Sequence, residues 1–388
     1  MQPSSNVAFL INSLEGGGAE RVMCKLLSIM ESYFARQGTA VHLILLDAIE
    51  EAHTCPTYVN KITLDTGGSL KQGYIQLKDT LAQLNPDFCL SFLTRSNMLN
   101  IAISKKLGYR PIISERVNTS SHFPGGLKDT ISKQMIKFSY PYADTVIAVS
   151  EGVKADLIKN FRVPEDKLTV LYNPYDIAQI EALAAEPVDD IPARSYIIGT
   201  GRLVKNKNFS LMIEAFAKSD LQDDLMILGQ GDEYDALMAQ AKALGVSDRV
   251  HFAGFKSNPY PYLKHARFFV STSNAEGFPN AIVEAMCLGK AVVATNCESG
   301  PAEILSEQYP LQVDSFQAQK HGCICDTNNV GGVIKALNYM NVEKHLNDYA
   351  AKSAARAQSF SNEIFREKVI ATISSDQQQT GEAYVSAG

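Results

Sequence analysis

The sequence has no run of about 20 apolar residues, the length that a helix needs to cross a bilayer. Its first apolar stretch, residues 6–13, is short, lacks a basic flank and runs into glycines instead of a cleavage site. We therefore expect a cytoplasmic protein without a secretory signal or a membrane span. Such a protein can still lie peripherally on the cytoplasmic face of the inner membrane.

An excess of positive charge is also absent, because 36 lysines and arginines are set against 42 acidic residues and the net charge is −6. Binding of nucleic acid over a broad surface requires a cationic face, so nucleic acid is not an expected partner. The seven cysteines are scattered and odd in number, which is typical of reduced, buried thiols. Cys323 and Cys325 form a close pair, but no second pair with zinc-site spacing accompanies them, so we expect no metal site.

The chain does contain enough apolar material for two cores. Its 388 residues, 45% of them hydrophobic, predict two domains. Short apolar runs alternate with helix-like stretches such as 19–35 and 125–138, and the pattern restarts near residue 196. This alternation predicts an α/β protein with parallel sheets covered on both faces. The candidate strands are 7–12, 41–46, 88–93, 111–114, 145–149, 168–171, 196–200, 225–229, 250–253, 268–272 and 291–295.

Domain boundaries follow from this restart. Residues 176–194 contain prolines and an acidic cluster and are interpreted as a linker, whereas 361–373 have helical spacing. We predict an N-terminal domain over 1–180, a C-terminal domain over 181–360, and a C-terminal helix with a frayed tail over 361–388. Doubly wound sheets bind ligands beyond the carboxyl ends of their strands, which predicts a ligand cleft between the two domains.

Three loops at predicted strand ends carry candidate chemistry. In the first, Gly16, Gly17 and Gly18 follow a strand and open a helix, where backbone N–H groups and the helix dipole favour an anion. The alternative is a tight turn without a ligand. Asp47, at the end of the second strand, keeps a weaker dehydrogenase interpretation open.

The second loop, 201–208, again lies between a strand and a helix. Arg202 and Lys207 can converge there on one diphosphate, the arginine as a planar fork and the lysine as a point charge. The alternative is a solvated basic loop.

The third loop leads into a helix through a Gly-Phe-Pro turn, where the proline suits a first helical turn. Glu276 precedes this turn, and Glu284 follows eight positions later in an apolar helix. A carboxylate among apolar side chains needs a partner. Ribose hydroxyls are one candidate, and a nearby lysine or arginine is the other.

Taken together, these segments resemble the retaining glycosyltransferases of family four, which carry an E-x(7)-E signature. The matching segments occur in the family's order over about residues 6–305 and read NSLEGGGAERV, GRLVKNKN, LGQGDEYDAL, RVHFAGF, STSNAEGFPNAIVEAM and SGPAEIL.

The resemblance implies the GT-B fold, two Rossmann-like doubly wound domains facing across a cleft, and a UDP-sugar donor carrying a HexNAc or a hexose. It also implies that the C-terminal helix crosses back to the N-terminal domain. The implied donor contacts are Arg202 and Lys207 for the diphosphate, Glu284 for the ribose, Phe255 for the base, Glu276 with Gly277, Phe278, Pro279 and Asn280 for the sugar, and Gly17 and Gly18 near the phosphates.

One departure from the family concerns the acceptor side. Many members carry a histidine where this chain has Arg116, and an arginine stays protonated and cannot act as a base. It can hold a sugar or a phosphate, and His122 is the alternative. The loop resembles that of members that extend lipid-linked or surface oligosaccharides in bacteria, among them N-acetylgalactosamine transferases. The implied acceptor is a glycan, for example one linked to undecaprenyl diphosphate, contacted by Arg95, Glu115, Arg116 and His122.

A basic stretch adds a possible membrane contact. Residues 127–136 mix apolar and basic positions, and Lys128, Lys133 and Lys137 can meet an anionic membrane face or a lipid pyrophosphate. The alternative is an ordinary amphipathic surface helix.

The expected mechanism relies on fixed positive charge. Negative charge develops on the departing nucleoside diphosphate, where Arg202 and Lys207 stabilise it, with Arg116 as a further catalytic-region cation and Glu276 orienting the sugar. The chain contains no Asp-x-Asp motif, so we expect retaining transfer that needs neither metal nor cofactor. The alternatives are an inactive nucleotide-sugar-binding scaffold and a nucleotide-sugar epimerase on the same fold.

Overall fold

A computed structural model of the chain describes residues 5–122, 125–188 and 190–374. The chain divides into two compact units. One unit comprises the residues up to Pro174 together with the segment from Asn362, and the other comprises Tyr175–Ser361. The predicted tail beyond residue 374 lies outside the described residues.

The first unit is built on a seven-stranded parallel sheet in the order β3-β2-β1-β4-β5-β6-β7. Its central strands are buried on both faces, because helices cover the sheet on either side. The strands are β1 (Ser5–Ile11), β2 (Thr39–Leu45), β3 (Asn60–Thr63), β4 (Phe88–Phe92), β5 (Arg110–Glu115), β6 (Thr145–Ala148) and β7 (Leu168–Val170). The helices are α1 (Gly18–Gln37), α2 (Leu70–Leu84), α3 (Thr94–Leu107), α4 (Thr119–His122), α5 (Leu127–Ser139) and α6 (Glu151–Phe161).

The second unit repeats this plan with seven strands in the order β10-β9-β8-β11-β12-β14-β13, in which only β13 runs antiparallel to its neighbour. Its strands are β8 (Tyr196–Thr200), β9 (Asp224–Leu228), β10 (Val250–Gly254), β11 (Phe268–Ser271), β12 (Ala291–Thr295), β13 (Phe316–Ala318) and β14 (Cys323–Cys325). Its helices are α7 (Ile177–Leu183), α8 (Phe209–Ala217), α9 (Tyr234–Ala243), α10 (Tyr260–His265), α11 (Asn280–Cys287), α12 (Pro301–Leu305), α13 (Val330–Asn341) and α14 (Glu343–Ala357).

The last described helix, α15 (Asn362–Ser374), belongs to the first unit. Phe365, Val369 and Ile373 recur every four residues, so they share one helical face, and all three are buried in the core that also holds Phe9 of β1. Arg110, at the start of β5, donates to the carbonyl of Ile373 at 3.0 Å. A segment distant in sequence therefore completes the first core.

One sequence expectation is corrected by the structure. The stretch 176–194, interpreted as a linker, contains α7, whose Ile180 is buried in the second unit. The expected burial of the Cys323 and Cys325 thiols is confirmed, because both residues lie in β14 at 0% exposure, and this burial raises the pKa of their thiols. Across the described ranges, no helix is long and apolar enough to cross a membrane, and no group of three or more potential metal ligands occurs.

Because α15 fills the first core, truncating its buried face should destabilise the fold. We expect Phe365→Ala, at 3% exposure, to lower the free energy of unfolding by about 3–5 kcal/mol through lost burial and a cavity. The matched control is Ile364→Ala, at 38% exposure on the same helix, which should cost about 1 kcal/mol or less. Urea unfolding of the full chain, followed by circular dichroism, measures both. Equal effects would contradict the packing described for α15.

Candidate active site

The candidate site lies in the second unit, where the strand order reverses between β8 and β11. At such a reversal the connections leave towards opposite faces of the sheet, so a crevice opens beyond the strand ends. The loop that follows β8 begins at Gly201, and the loop that follows β11 begins at Thr272. The topology thus brings together the second and third loops predicted from the sequence.

Glycines allow the loops after β8 and β9 to touch along their backbones. Gly229 has φ +146°, and a Cβ atom built there would lie 1.8 Å from the carbonyl oxygen of Gly201. A Cβ atom on Gly231 would lie 2.4 Å from the carbonyl oxygen of Leu203, whose own N–H donates to Gln230 at 2.8 Å. Side chains would force the two loops apart. The sequence shows only a weak Gly-x-Gly here, so this close approach was not predicted.

An ion pair joins the loops after β8 and β11. The Lys207 ammonium group contacts the Glu276 carboxylate, whose Oε1 also accepts from the Ser273 hydroxyl at 2.7 Å. The Lys207 side chain is 26% exposed and that of Glu276 is 12% exposed. Asn206 fixes the loop backbones, because its side-chain amide donates to the carbonyl of Ala275 at 2.8 Å. The pair is therefore held in place and still open on one side.

Arg202 has different neighbours from Lys207. It lines a cavity of about 430 Å³ beside the ends of β8 and β9, together with Phe255. Phe255 is 71% exposed, so its ring is available to a flat ligand. The other lining residues are Thr200, Gly201, Leu228, Gly229, Gln230, Lys256 and Pro259.

The turn before α11 is held in place by contacts with other segments of the second unit. Phe278 is buried against the ring of Phe360, with centroids 5.7 Å apart, and the Tyr175 hydroxyl donates to the Asn280 side chain at 2.5 Å. Pro279 lies so close to Gly300 that a Cβ atom on Gly300 would be 2.2 Å from the Pro279 ring. Gly277 is half-buried, and Glu284 is half-buried in the second turn of α11. The structure thus anchors the start of α11 near Glu276.

In the first unit, the predicted glycine loop lies at an exposed helix start. Gly17 is the residue before α1, and Gly18 is the first residue of α1. The carboxylate of Glu20 folds back towards it, so that a Cβ on Gly17 would lie 2.2 Å from Glu20 Oε2. An acidic side chain in the first turn is favoured there by the helix dipole.

The predicted acceptor residues have separate environments. Arg95 forms an ion pair with Asp47, and although burial opposes ionisation of Asp47, hydrogen bonds from Arg95, Thr66 and Gly68 hold its pKa below the usual range. Arg116 is half-buried, and its guanidinium donates to the side chain of Asn173 and lies over the ring of Phe92 at 5.0 Å. Its neighbour Glu115 is only 2% exposed. The side chain of His122 lies outside the described residues.

Comparison with solved structures defines the fold class. A structure of the Anabaena protein HepE in complex with UDP has a TM-score of 0.74 at 20% identity, covering 95% of this chain and 100% of that chain. The lipopolysaccharide outer core galactosyltransferase WaaB has a TM-score of 0.75 at 17% identity, covering 95% and 99%. The protein therefore has the GT-B fold, as predicted.

Sequence comparison identifies the family. The model described as "Glycosyl transferases group 1" matches residues 190–357, and the model "Glycosyltransferase Family 4" matches residues 16–179. The Campylobacter jejuni N-acetylgalactosamine-N,N'-diacetylbacillosaminyl-diphospho-undecaprenol 4-alpha-N-acetylgalactosaminyltransferase is 30% identical over 367 residues, 91% of this chain and 95% of that protein. The lipopolysaccharide 1,6-galactosyltransferase of Escherichia coli K12 is 25% identical over 66% of this chain and 73% of its own length. The chain belongs to glycosyltransferase family 4.

The close approach of the glycine loops makes a structural prediction. Gly229→Ala should lower the free energy of unfolding by roughly 2–4 kcal/mol, because the new methyl group meets backbone and the positive φ disfavours it. The matched control is Gly331→Ala in α13, where the nearest atom to the new Cβ would be Asn329 Oδ1 at 3.6 Å. Thermal and urea unfolding compare the two variants. A Gly229→Ala protein as stable as the control would show that the loops are not in contact.

Proposed function

We propose that this glycosyltransferase moves a HexNAc or a hexose from a UDP-sugar, with retention of configuration, to a glycan on a lipid-linked or surface-polysaccharide precursor. The observation that carries the proposal is the Lys207–Glu276 ion pair at the switch point of the second sheet, in which Lys207 belongs to the same loop as Arg202. A cation for a diphosphate and a carboxylate for a sugar lie side by side there.

Each group then has a chemical task. Arg202 and Lys207 stabilise the negative charge that develops on the departing diphosphate, which is the largest catalytic contribution expected in such a site. Glu276 orients the sugar, with Gly277, Phe278, Pro279 and Asn280 supporting it, while Glu284 binds the ribose and Phe255 covers the base. Since protein cations meet the phosphate charge, the reaction needs no metal and no cofactor.

Retention follows from attack on the same face that the leaving group departs from. The acceptor oxygen bonds to the anomeric carbon as the bond between that carbon and the donor phosphate oxygen breaks. The proton of the acceptor hydroxyl passes to the same phosphate oxygen. A glycosylated Glu276 trapped in mass spectrometry would replace this route with a covalent one.

The relatives support the choice of substrates. HepE was crystallised with UDP and with UDP-glucose. The Campylobacter jejuni relative is named for transfer of N-acetylgalactosamine to a glycan on diphospho-undecaprenol. We extend both features to this chain, with Arg95, Arg116 and His122 on the acceptor side.

Helix α5 supports a membrane location for the acceptor. Its apolar side chains Leu127, Ile131, Met135 and Phe138 are 79%, 51%, 39% and 72% exposed, and they recur every three or four residues along one face. Lys128, Lys133 and Lys137 accompany them. An exposed apolar row beside basic residues suits the anionic cytoplasmic face of a bacterial inner membrane.

The donor site is tested by two substitutions with opposite expected effects on UDP. Lys207→Ala should weaken UDP binding by roughly 10- to 100-fold, because a charged contact is lost and Glu276 remains. Glu276→Gln should bind UDP at least as tightly as the native protein, because Lys207 is no longer neutralised, yet it should turn over a UDP-sugar at least about 100-fold more slowly. Calorimetry and UDP release in EDTA measure these quantities, and NMR of the product reports its anomeric configuration.

The matched control is Lys205→Ala, an exposed lysine on the same loop, which should change UDP binding less than about twofold. Binding without turnover of any UDP-, GDP- or ADP-sugar would favour the inactive scaffold. Loss of activity in EDTA, or UDP binding that is unaffected by both variants, would contradict the assigned site.

The membrane contact is tested with vesicles. The native protein should sediment with vesicles that contain phosphatidylglycerol, and less with pure phosphatidylcholine, in a salt-sensitive manner. Phe138→Asp should abolish this binding, because it places a charge in the apolar row. The control is Ile75→Asp on α2, where the native side chain is 46% exposed. Equal binding by both variants would remove α5 as the membrane contact.

A further inference from the structure

A buried hydrogen bond in the first unit links helix α5 to the loop that carries Arg116. Tyr140 follows α5 directly and is 0% exposed, and its hydroxyl donates to Glu115 Oε2 at 2.7 Å. Glu115 ends β5, and its Oε1 accepts from the backbone N–H of Arg116 at 3.2 Å. One carboxylate thus holds both the end of α5 and the start of the Arg116 loop.

The Tyr140 hydroxyl is the meeting point of further elements. Asn97 of α3 donates to it at 3.1 Å, and the same side-chain nitrogen donates to the carbonyl of Ser114 in β5 at 3.0 Å. The side-chain oxygen of Asn97, Oδ1, accepts from the Ser91 hydroxyl of β4 at 2.8 Å. A buried network of this kind fixes one arrangement, because each unmade hydrogen bond would leave a desolvated polar group.

Glu115 is too deep to contact an acceptor itself. At 2% exposure, its carboxylate faces Tyr140, the backbone of its own loop and, more distantly, Asp156 of α6, while the uncharged Asn97 and Thr94 of α3 contact the Tyr140 hydroxyl. Arg116, by contrast, is half-buried and its guanidinium extends to Asn173 and over Phe92. The arrangement is that of a buried positioning residue behind a more accessible cation.

We infer that Tyr140 and Glu115 are positioning residues that hold Arg116 for the diphosphate of a lipid-linked acceptor and connect that cation to α5. This inference rests on the proposed function, since it assigns Arg116 to the acceptor. Contact of α5 with a bilayer and binding of the diphosphate would then reinforce each other through the Tyr140 hydroxyl.

Protonation of Glu115 would loosen this link. Burial raises the pKa of Glu115 to about 7, against hydrogen bonds from Tyr140 and the backbone N–H groups of Arg116 and Val117 that favour the ionised form. The ionised carboxylate accepts all of these hydrogen bonds, and protonation converts one acceptor into a donor. Positioning of Arg116 should therefore weaken as the pH falls through about 7.

The test measures binding of farnesyl diphosphate to the full chain by calorimetry, with saturating UDP present to occupy the donor site. Tyr140→Phe should weaken binding about tenfold, Arg116→Ala should weaken it at least as much, and the double variant should equal Arg116→Ala, because coupled residues are not additive. Tyr142→Phe, which removes an exposed hydroxyl two positions away, is the control and should match the native protein.

Two further measurements separate this inference from the function on which it rests. Tyr140→Phe should keep the native far-UV circular dichroism and a UDP affinity within about twofold of native, which a general folding defect would not allow. Acceptor-independent hydrolysis of the UDP-sugar by the native protein tests the proposed function itself. The ratio of native to Glu115→Gln affinity for farnesyl diphosphate should fall as the pH drops from 8.5 to 6, because only the native protein has a carboxylate at this position to protonate. Titration of the ligand affects both proteins and cancels in this ratio. Additive effects of Tyr140→Phe and Arg116→Ala, or a flat ratio, would overturn the inference. Absence of hydrolysis in the native protein would instead overturn the proposed function.

Discussion

The candidate site depends on one constraint, the contact between the loops that follow β8 and β11 at the switch point of the second sheet. The Lys207–Glu276 ion pair can form only because these strands are neighbours whose carboxyl ends lie at the same edge. Gly229 and Gly231 let the loop after β9 pack against the backbone of the loop after β8, which supports the loop that carries Lys207. The strand order and the glycines thus bring these loops together, and the charged side chains form their ion pair between them.

The first unit uses the same topology with different chemistry. In the first unit the strand order reverses between β1 and β4. A hydrogen bond between uncharged side chains joins the segments that follow these strands, because the Ser96 hydroxyl donates to the Asn12 side chain at 2.8 Å. Charged groups lie on either side of this reversal, because Arg95 at the start of α3 pairs with Asp47 after β2, and Glu115 and Arg116 lie at the end of β5. Leu93, just after β4, has φ +74°, a conformation that costs a non-glycine residue energy and persists only where surrounding packing enforces it. The two sheets therefore share a framework but present different groups, as donor and acceptor roles would require.

The sequence predicted this framework well because apolar runs report strands that are buried on both faces. The predicted strand 196–200 coincides with β8, and the GT-B fold inferred from the motifs is confirmed. Exposed or short elements were missed for the same reason, since β3 is largely solvent-facing and has no apolar run. Motif spacing also indicated Lys207 and Glu276, although their roles stay predictions. Their mutual ion pair, and the burial of Glu115 behind Tyr140, depend on contacts between residues distant in sequence, which local patterns do not report.

The ion pair also bears on how binding energy can be used in this site. A lysine already paired with a carboxylate attracts a diphosphate less strongly than an isolated lysine, because the neighbouring negative charge offsets part of the field. On the proposed mechanism, UDP alone gains little from such a site, whereas a UDP-sugar offers Glu276 hydroxyl groups to bind in place of its lysine. As the bond to the sugar breaks, charge grows on the phosphate and the lysine interaction strengthens. On the proposed mechanism, Glu276 therefore weakens binding of the product and leaves stabilisation of the transition state intact, which is the distribution of binding energy that raises turnover.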